Sequence, residues 1–462
     1  MRTTANFSAG RSHRPARLSF LRTGLAAVAA LALVPAAASA QITPASVQAA
    51  LKDGKASQDI RAFYESRSYR PLWIRGSTLS PEADEFLRLV DTATYDGLNP
   101  RSYRTKALAT ALKKGRDGSP KALASVEMLL SQAFAAYVRD VSRPRDVGMI
   151  YVDRQLAPTT PSARAILTAA ASAPSMELYL RNIGWMHPVY GELRSTFAAA
   201  HRAGRLNGAQ DQLLRLNMDR ARALPPRVAG RHILVDAAAA KLYLYENGQV
   251  RDTMKVVVGK PDLQTPMMAG LIRYAMVNPY WNIPPDLVRD RIAPNVVSQG
   301  LGYLKAKRYD VLSDWSDDAT IVSAAKIDWK AVAAGTVEVP VRQRPGNDNA
   351  MGKMKFMFPN EQGVYLHDTP DKELFAEADR GRSAGCVRVE DAQRLARWLF
   401  GKPIAAKGKK PEQRVDMPEP VPVYITYLTA APDGPGVAFR KDVYNRDPGQ
   451  LARLRTAALE LR

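Results

Sequence analysis

The 462-residue chain carries a single cysteine and a formal charge of +21. One thiol excludes a disulfide-stapled scaffold, and the length leaves room for two or three domains rather than one small module. So basic a chain would be read in the cytosol as a nucleic-acid binder, a partner that its first forty residues argue against.

Within residues 1–40, Arg2, Arg11, Arg14, Arg17 and Arg22 form a basic segment, Gly24 to Val34 is an apolar run, and Ala38-Ser39-Ala40 is a small-residue cleavage site. That order is expected of a cleaved secretory signal, because the apolar run is too short for a spanning helix. The expected location is the periplasm or cell envelope, with membrane contact only through the signal; an uncleaved anchor is the other reading. Losing five arginines and no acids lowers the formal charge from +21 to +16. An exported chain of this charge meets anionic envelope polymers instead of nucleic acid.

Residues 41–224 read as an all-helical domain. Ser80-Pro81-Glu82 supplies a cap, a first-position proline and a first-turn acid, Phe86, Leu87, Leu89 and Val90 give an apolar face, and Gly97 is expected to stop the helix. Val126, Leu130, Phe134, Tyr137 and Val141 repeat the helical period, as do Tyr190, Leu193 and Phe197. No paired carboxylates or metal-ligand spacing occur here, so the segment is expected to be a packed scaffold.

At Pro225-Pro226 the period changes. Arg231 to Asp236, Lys241 to Glu246, Val250 to Val258, Leu271 to Val277, Lys353 to Phe358, Gly363 to His367, Cys386 to Val389 and Val421 to Leu428 read as strands, with a helix over Glu390 to Phe400. Residues 231–430 are thus expected to form an α+β domain with a mainly antiparallel sheet. Residues 289–349 are a long excursion, and 431–462 a C-terminal extension. Asn278-Pro279-Tyr280-Trp281-Asn282-Ile283-Pro284-Pro285 is a stiff aromatic stretch, either lining a cleft or packing in the core.

The chemistry concentrates in Val364-Tyr365-Leu366-His367-Asp368-Thr369-Pro370 and Arg382-Ser383-Ala384-Gly385-Cys386-Val387-Arg388-Val389. A thiol becomes a nucleophile when an imidazole takes its proton, and Cys386 and His367 stand at the two ends of one loop. Gly385 lets the backbone approach a substrate, so the amides of Ala384, Gly385 and Cys386 are candidates for an oxyanion hole. Arg388, two residues past the nucleophile, shares its strand face and is expected to meet a substrate carboxylate. Gly381-Arg382-Ser383-Ala384-Gly385 imitates a serine nucleophile elbow, but no histidine follows it. Ser383 is therefore assigned to hydrogen bonding within the loop. One cysteine and one histidine do not furnish three zinc ligands, and neither a metal nor a cofactor is called for.

His-Asp-Thr-Pro followed by Ser-Ala-Gly-Cys-Val-Arg resembles the signature of the L,D-transpeptidase (YkuD) family, enzymes that cross-link peptidoglycan through a catalytic cysteine. Shorter members usually read Ser-His-Gly-Cys. Ala384 stands in place of that second histidine, as substitutions do in the large YcbB-like branch. Phe63-Tyr64, Arg70-Pro71-Leu72-Trp73 and Asp96-Gly97-Leu98-Asn99-Pro100 resemble that branch's scaffold domain, while the small peptidoglycan-binding helical module of many members looks missing between Arg181 and Leu224. The resemblance implies that Cys386 attacks the carbonyl after the third stem residue and that His367 is the base, held by the main-chain carbonyl of Asp368. It implies a substrate cleft bordered by Tyr365, Thr369, Ser383, Asn278, Tyr280 and Trp281, and a mobile lid at 289–349. The implied partners are peptidoglycan stem peptides and glycan strands, with carbapenem β-lactams as covalent inhibitors. The acceptor stays open between a second stem peptide, an envelope protein and water, and a non-catalytic wall-binding scaffold is the remaining alternative.

Overall fold

The computed structural model describes residues 42–116, 118–226, 230–434 and 436–460, with side chains to residue 453; the expected signal segment lies outside the described residues. Among these residues no helix is long and apolar enough to cross a membrane.

The helical half is built around Pro120–Ser142. Ser119 accepts from the Ala122 amide, Pro120 sits at the first position, and Leu123, Val126, Leu130, Phe134, Tyr137, Val138 and Val141 are all buried. With apolar side chains on most of its circumference, this helix becomes the axis on which the other helices pack. Phe86 and Trp185 both meet Phe134 edge to face, which fixes the layer around that axis. The helix that opens at Pro81 ends at Asp91 rather than at Gly97. Thr92 turns its hydroxyl back onto the carbonyls of Arg88 and Leu89, the chain tightens into a 3-10 turn over Ala93–Asp96, and Gly97 closes that turn at φ 72°. The early stop delivers the Asp96 carboxylate into the core.

The C-terminal half is a sheet closed on itself. Its strands are β1 (Arg231–Asp236), β2 (Lys241–Glu246), β3 (Gln249–Gly259), β4 (Met268–Val277), β5 (Met354–Met357), β6 (Leu366–His367), β7 (Val387–Val389) and β8 (Gln413–Thr426). They pair in the order β5-β6-β7-β3-β2-β1-β8-β4, and β4 pairs back to β5. β6 with β7 and β1 with β8 are parallel, and the other pairs of the ring are antiparallel. Ile233, Val235, Leu242, Leu244, Val256, Phe356, Leu366, Val387 and Val423 fill its interior. Outside the ring, Ile150–Tyr151 of the helical half adds a short parallel strand to β4.

Several boundaries differ from the sequence expectation. β6 shortens to Leu366–His367 because the Asn360 side chain binds Phe358 O, Val364 O and the Val364 amide, folding 360–364 into a turn. β7 begins at Val387, since the preceding loop is held by its own hydrogen bonds. β8 reaches back to Gln413 past a break in register between Asp416 and Val421, where prolines 418 and 420 hide the strand in the sequence.

The excursion is a folded unit that starts at Trp281, before the expected Arg289. Trp281–Ile283 pairs with Val341–Gln343, which pairs with Tyr309–Val311, and these strands cover a separate core of Ile283, Leu287, Ile292, Val296, Trp329 and Val341. Strands of three residues carry too little alternation to be read from sequence. The C-terminal segment folds back onto the helical half: the hairpin Ala430–Asp433 with Gly436–Phe439 packs on the helices Pro188–Arg202 and Gly208–Arg222, and Ala430 joins the scaffold core.

Candidate active site

Register places the reactive groups. His367 lies opposite Lys355 of β5 on one side and Arg388 of β7 on the other, so the three side chains form a row on one face. Leu366 and Val387 point the other way into the core and are fully buried. Tyr365 lies two residues before His367 and Cys386 two before Arg388, and the Val387 amide bonded to Tyr365 O ties these two ends together.

His367 is 2% exposed, and its Nδ1 is 2.6 Å from the carbonyl oxygen of Asp368. A carbonyl only accepts, so Nδ1 carries the proton and Nε2 presents its lone pair. Burial, reinforced by the Arg388 guanidinium, pushes the imidazole down to about 3, and the Asp368 carbonyl opposes that shift. Cys386 is partly open to solvent, yet burial of its sulfur pushes the thiol up to about 11, while contacts with Tyr365 and the charges of Arg388 and Lys355 pull it back. At neutral pH the resting pair is therefore thiol and imidazole, not thiolate and imidazolium. The thiol donates to Gly363 O at 3.5 Å.

The nucleophile loop is held from within. Ser383 Oγ donates to Cys386 O at 2.6 Å and accepts from the Gly385 amide at 3.2 Å, and Gly385 takes φ 108°, a conformation open mainly to glycine. The Gly385 amide is thus engaged and leaves the three-amide oxyanion set expected from the sequence. The amides of Ala384 and Cys386 have no partner among the described residues. Ser383 is 4% exposed and bonded to its own loop, which fits the loop role and not a substrate contact.

Residues 58–197 match the scaffold domain family, and residues 230–423 match the L,D-transpeptidase catalytic domain. The chain thus carries a scaffold domain followed by an L,D-transpeptidase catalytic domain. A curated Haemophilus influenzae protein, provisionally named an L,D-transpeptidase, is 26% identical over 394 residues, covering 83% of this chain and 77% of its own. An L,D-transpeptidase structure from Mycobacterium smegmatis aligns with 13% identity and a TM-score of 0.21 over 43% of this chain and 58% of its own. The structure of an LD transpeptidase in complex with imipenem aligns with 15% identity and a TM-score of 0.21, over 42% of this chain and 58% of its own.

In this L,D-transpeptidase the remaining sequence candidates divide. Tyr365 borders the cysteine and its ring meets His367 edge to face, with centroids 5.7 Å apart. Arg388 shares the face of the nucleophile, but its Nη1 is bonded to Asp371 Oδ2 at 2.7 Å, so a substrate carboxylate would have to displace or join that acid. Thr369 is 1% exposed and accepts from the Asp371 amide, which makes it a support of that pair and removes it from the substrate-contact set. Asn278 is also a support: its amide side chain donates to Lys409 O and Lys410 O, pinning the loop before β8. Tyr280 lies beneath the Arg342 guanidinium at 4.1 Å, and Trp281 packs against the excursion's core, the structural alternative for that motif.

Two further residues take their place beside the site only from the structure. Lys355 is 8% exposed, flanks His367 across the strand pair and bonds Glu412 Oε1 at 3.2 Å. Its one signal, a lysine inside a strand-like run, gains meaning only once register is known. Thr265, in the loop after β3, is fully buried and donates to Gly385 O at 2.8 Å.

Proposed function

We propose that the protein is an exported cysteine L,D-transpeptidase that joins peptidoglycan stem peptides by 3-3 links through a Cys386 thioester. The observation that carries this reading is the chain's one thiol, placed beside an imidazole whose Nδ1 is fixed on Asp368 O and whose Nε2 is left to accept a proton. In the first half-reaction Cys386 Sγ attacks the carbonyl after the third stem residue while its proton passes to His367 Nε2. The oxyanion forms toward the amides of Ala384 and Cys386. Collapse breaks the carbon–nitrogen bond, and the imidazolium returns the proton to the departing amine of the terminal D-residue. An acceptor amine then attacks the thioester, gives its proton to His367, and expels the thiol.

Cys386 is partly open to solvent, so water competes as acceptor. The same acyl-enzyme would then act as an L,D-carboxypeptidase or endopeptidase, and an envelope-protein amine is the third acceptor. The basic composition suits an anionic glycan strand. The scaffold domain ahead of a long insertion supports membership of the large YcbB-like branch, and we assign the insertion over 289–349 as a lid. The basic leader supports action in the periplasm.

Mass spectrometry of purified tetrapeptide muropeptides incubated with the mature enzyme tests the reading directly. Cross-linked dimers with release of the terminal D-residue are expected, and none with Cys386→Ala. Tripeptides alone would assign hydrolysis, and an unchanged tetrapeptide pool would overturn both. Carbapenems should leave one adduct on the wild type and none on Cys386→Ala.

A further inference from the structure

The loop between β3 and β4 joins three parts of the molecule. Leu263 packs against the core of the excursion, Thr265 reaches the nucleophile loop, and the C-terminal segment closes over the outside. The loop folds tightly on Gly259, where an added Cβ would lie 2.1 Å from Leu263 O. Thr265 Oγ1 accepts from the Gly259 amide at 2.8 Å and donates to Gly385 O at 2.8 Å, so its hydroxyl uses its one proton on the carbonyl next to the nucleophile. Tyr444 braces the same point: its hydroxyl donates to Gly259 O at 2.6 Å, and its ring stacks on Tyr427 with centroids 5.0 Å apart. Arg446 lies 4.7 Å from the Tyr444 ring centroid and donates to Thr265 O at 2.9 Å and to Gln264 Oε1 at 3.0 Å. One residue further on, Asp447 bonds the fully buried Arg220 of the scaffold's last helix at 2.7 Å.

The peptide joining Gly385 to Cys386 is a planar unit in which the carbonyl and the following N–H point in opposite directions. Thr265 holds the carbonyl inward. The same plane therefore turns the Cys386 amide outward, and among the described residues that amide has no partner. At φ 108° Gly385 offers little resistance to rotation of this plane, so the direction of the amide rests on the hydrogen bond to its carbonyl. We propose that Thr265 is a positioning residue for the transpeptidase reaction: it aims the Cys386 amide at the forming oxyanion, and the C-terminal segment, through Tyr444 and Arg446, holds Thr265 in place. The fold then has a reason to bring its C-terminus back across both domains. The inference rests on the reading of Cys386 as nucleophile.

Thr265→Val keeps the shape of the side chain and removes its hydroxyl. Two reactions at the same sulfur separate positioning from general damage. Acylation by imipenem passes through an oxyanion; alkylation by iodoacetamide at pH 9 does not. Thr265→Val should slow saturating acylation by about 10- to 100-fold, below the loss typical of deleting an oxyanion donor outright. Half-saturation should stay within about two-fold, alkylation should be unchanged, and Thr265→Ser should restore acylation to within about three-fold. Tyr444→Phe, which removes only the brace, should slow acylation by about three- to ten-fold with alkylation unchanged, and it serves as the test if Thr265→Val does not fold. Wild-type acylation in both variants, or an equal loss of acylation and alkylation, would overturn the proposal. A wild type that alkylates but forms no imipenem adduct would instead sink the reading of Cys386 as nucleophile.

Discussion

Asp96 of the scaffold and Cys386 of the catalytic domain are both set among buried polar groups, and they are treated in opposite ways. Around Asp96 every partner is matched: its carboxylate accepts from Tyr137 and Tyr190 hydroxyls at 2.8 Å each and from Arg194 Nε at 2.8 Å, while Arg194 Nη2 bonds Thr92 and Leu89 carbonyls. Arg222 adds bonds to Asp96 O, Tyr190 and Val141 O, with Asp219 as its ion partner. Around Cys386 the loop is held by Ser383 and Thr265, yet the Cys386 and Ala384 amides, His367 Nε2 and Arg388 Nε lack partners among the described residues. A buried polar network that is complete makes structure, and one left open at chosen atoms can meet a substrate.

Substitution at the two centres should give mirror-image results. Cys386→Ala should lower turnover at least about 10⁴-fold with no loss of thermal stability, because the thiol makes only weak bonds, to Gly363 O and to Tyr365. Asp96→Ala should instead cost about 3–5 kcal/mol of stability by leaving a buried arginine and two tyrosines unmatched, while the folded fraction acylates at the wild-type rate. Denaturant melts paired with adduct formation read both quantities. An Asp96→Ala protein as stable as wild type would mean that the network is decoration.

His367→Ala comes next. Loss of the base should slow carbapenem acylation by about 10²- to 10⁴-fold without altering the melt. An adduct formed at the wild-type rate would remove His367 from the mechanism.

The resting charge state sharpens the contrast at the level of single protons. The thiol is pushed up to about 11 and the imidazole down to about 3, so neutral Cys386 and neutral His367 coexist across the whole physiological range. Alkylation of Cys386 by iodoacetamide should therefore keep rising through pH 10, because the thiolate fraction grows until the raised pKa is passed. A profile that levels off below pH 8 would reveal an ion pair in the free enzyme.

Much of this was legible in the sequence, for identifiable reasons. A lone cysteine, a lone late histidine and a glycine between serine and cysteine are chemical signals that need no geometry, and the strands over Arg231–Asp236 and Lys241–Glu246 carry clear alternation. The contacts of Lys355, Thr265 and Asp371 were not legible, because each comes from register or from a partner distant in the chain: Thr265 meets Gly385, and Lys355 lies opposite His367. The roles given to Thr369 and Asn278 went astray for the same reason. Polar residues beside a catalytic motif look like substrate contacts until burial shows Thr369 supporting Asp371 and the hydrogen bonds show Asn278 pinning a loop.

The insertion over 289–349 lies between these extremes and gives the smallest expected effect. It has its own apolar core, so it moves as a unit if it moves at all, and its attachment to the ring runs through the short segments flanking Trp281 and Gln343. Its outer side leaves Val297, Leu301, Trp315 and Ile321 more than a third exposed, a surface unlike the covered helices of the scaffold. Exposed apolar side chains and strands of three residues go with low local stability, and low local stability is what a gating element requires. Hydrogen exchange should therefore be faster across 309–326 than in β1 or β2, and a stem peptide held on Cys386 should slow it several-fold in the insertion while leaving the scaffold helix Pro120–Ser142 unchanged. Shortening the insertion to a tight turn should raise hydrolysis relative to cross-linking, as expected of a lid that keeps water from the thioester. Equal protection of the insertion before and after acylation would make it a fixed wall of the cleft, and the gating role would fall.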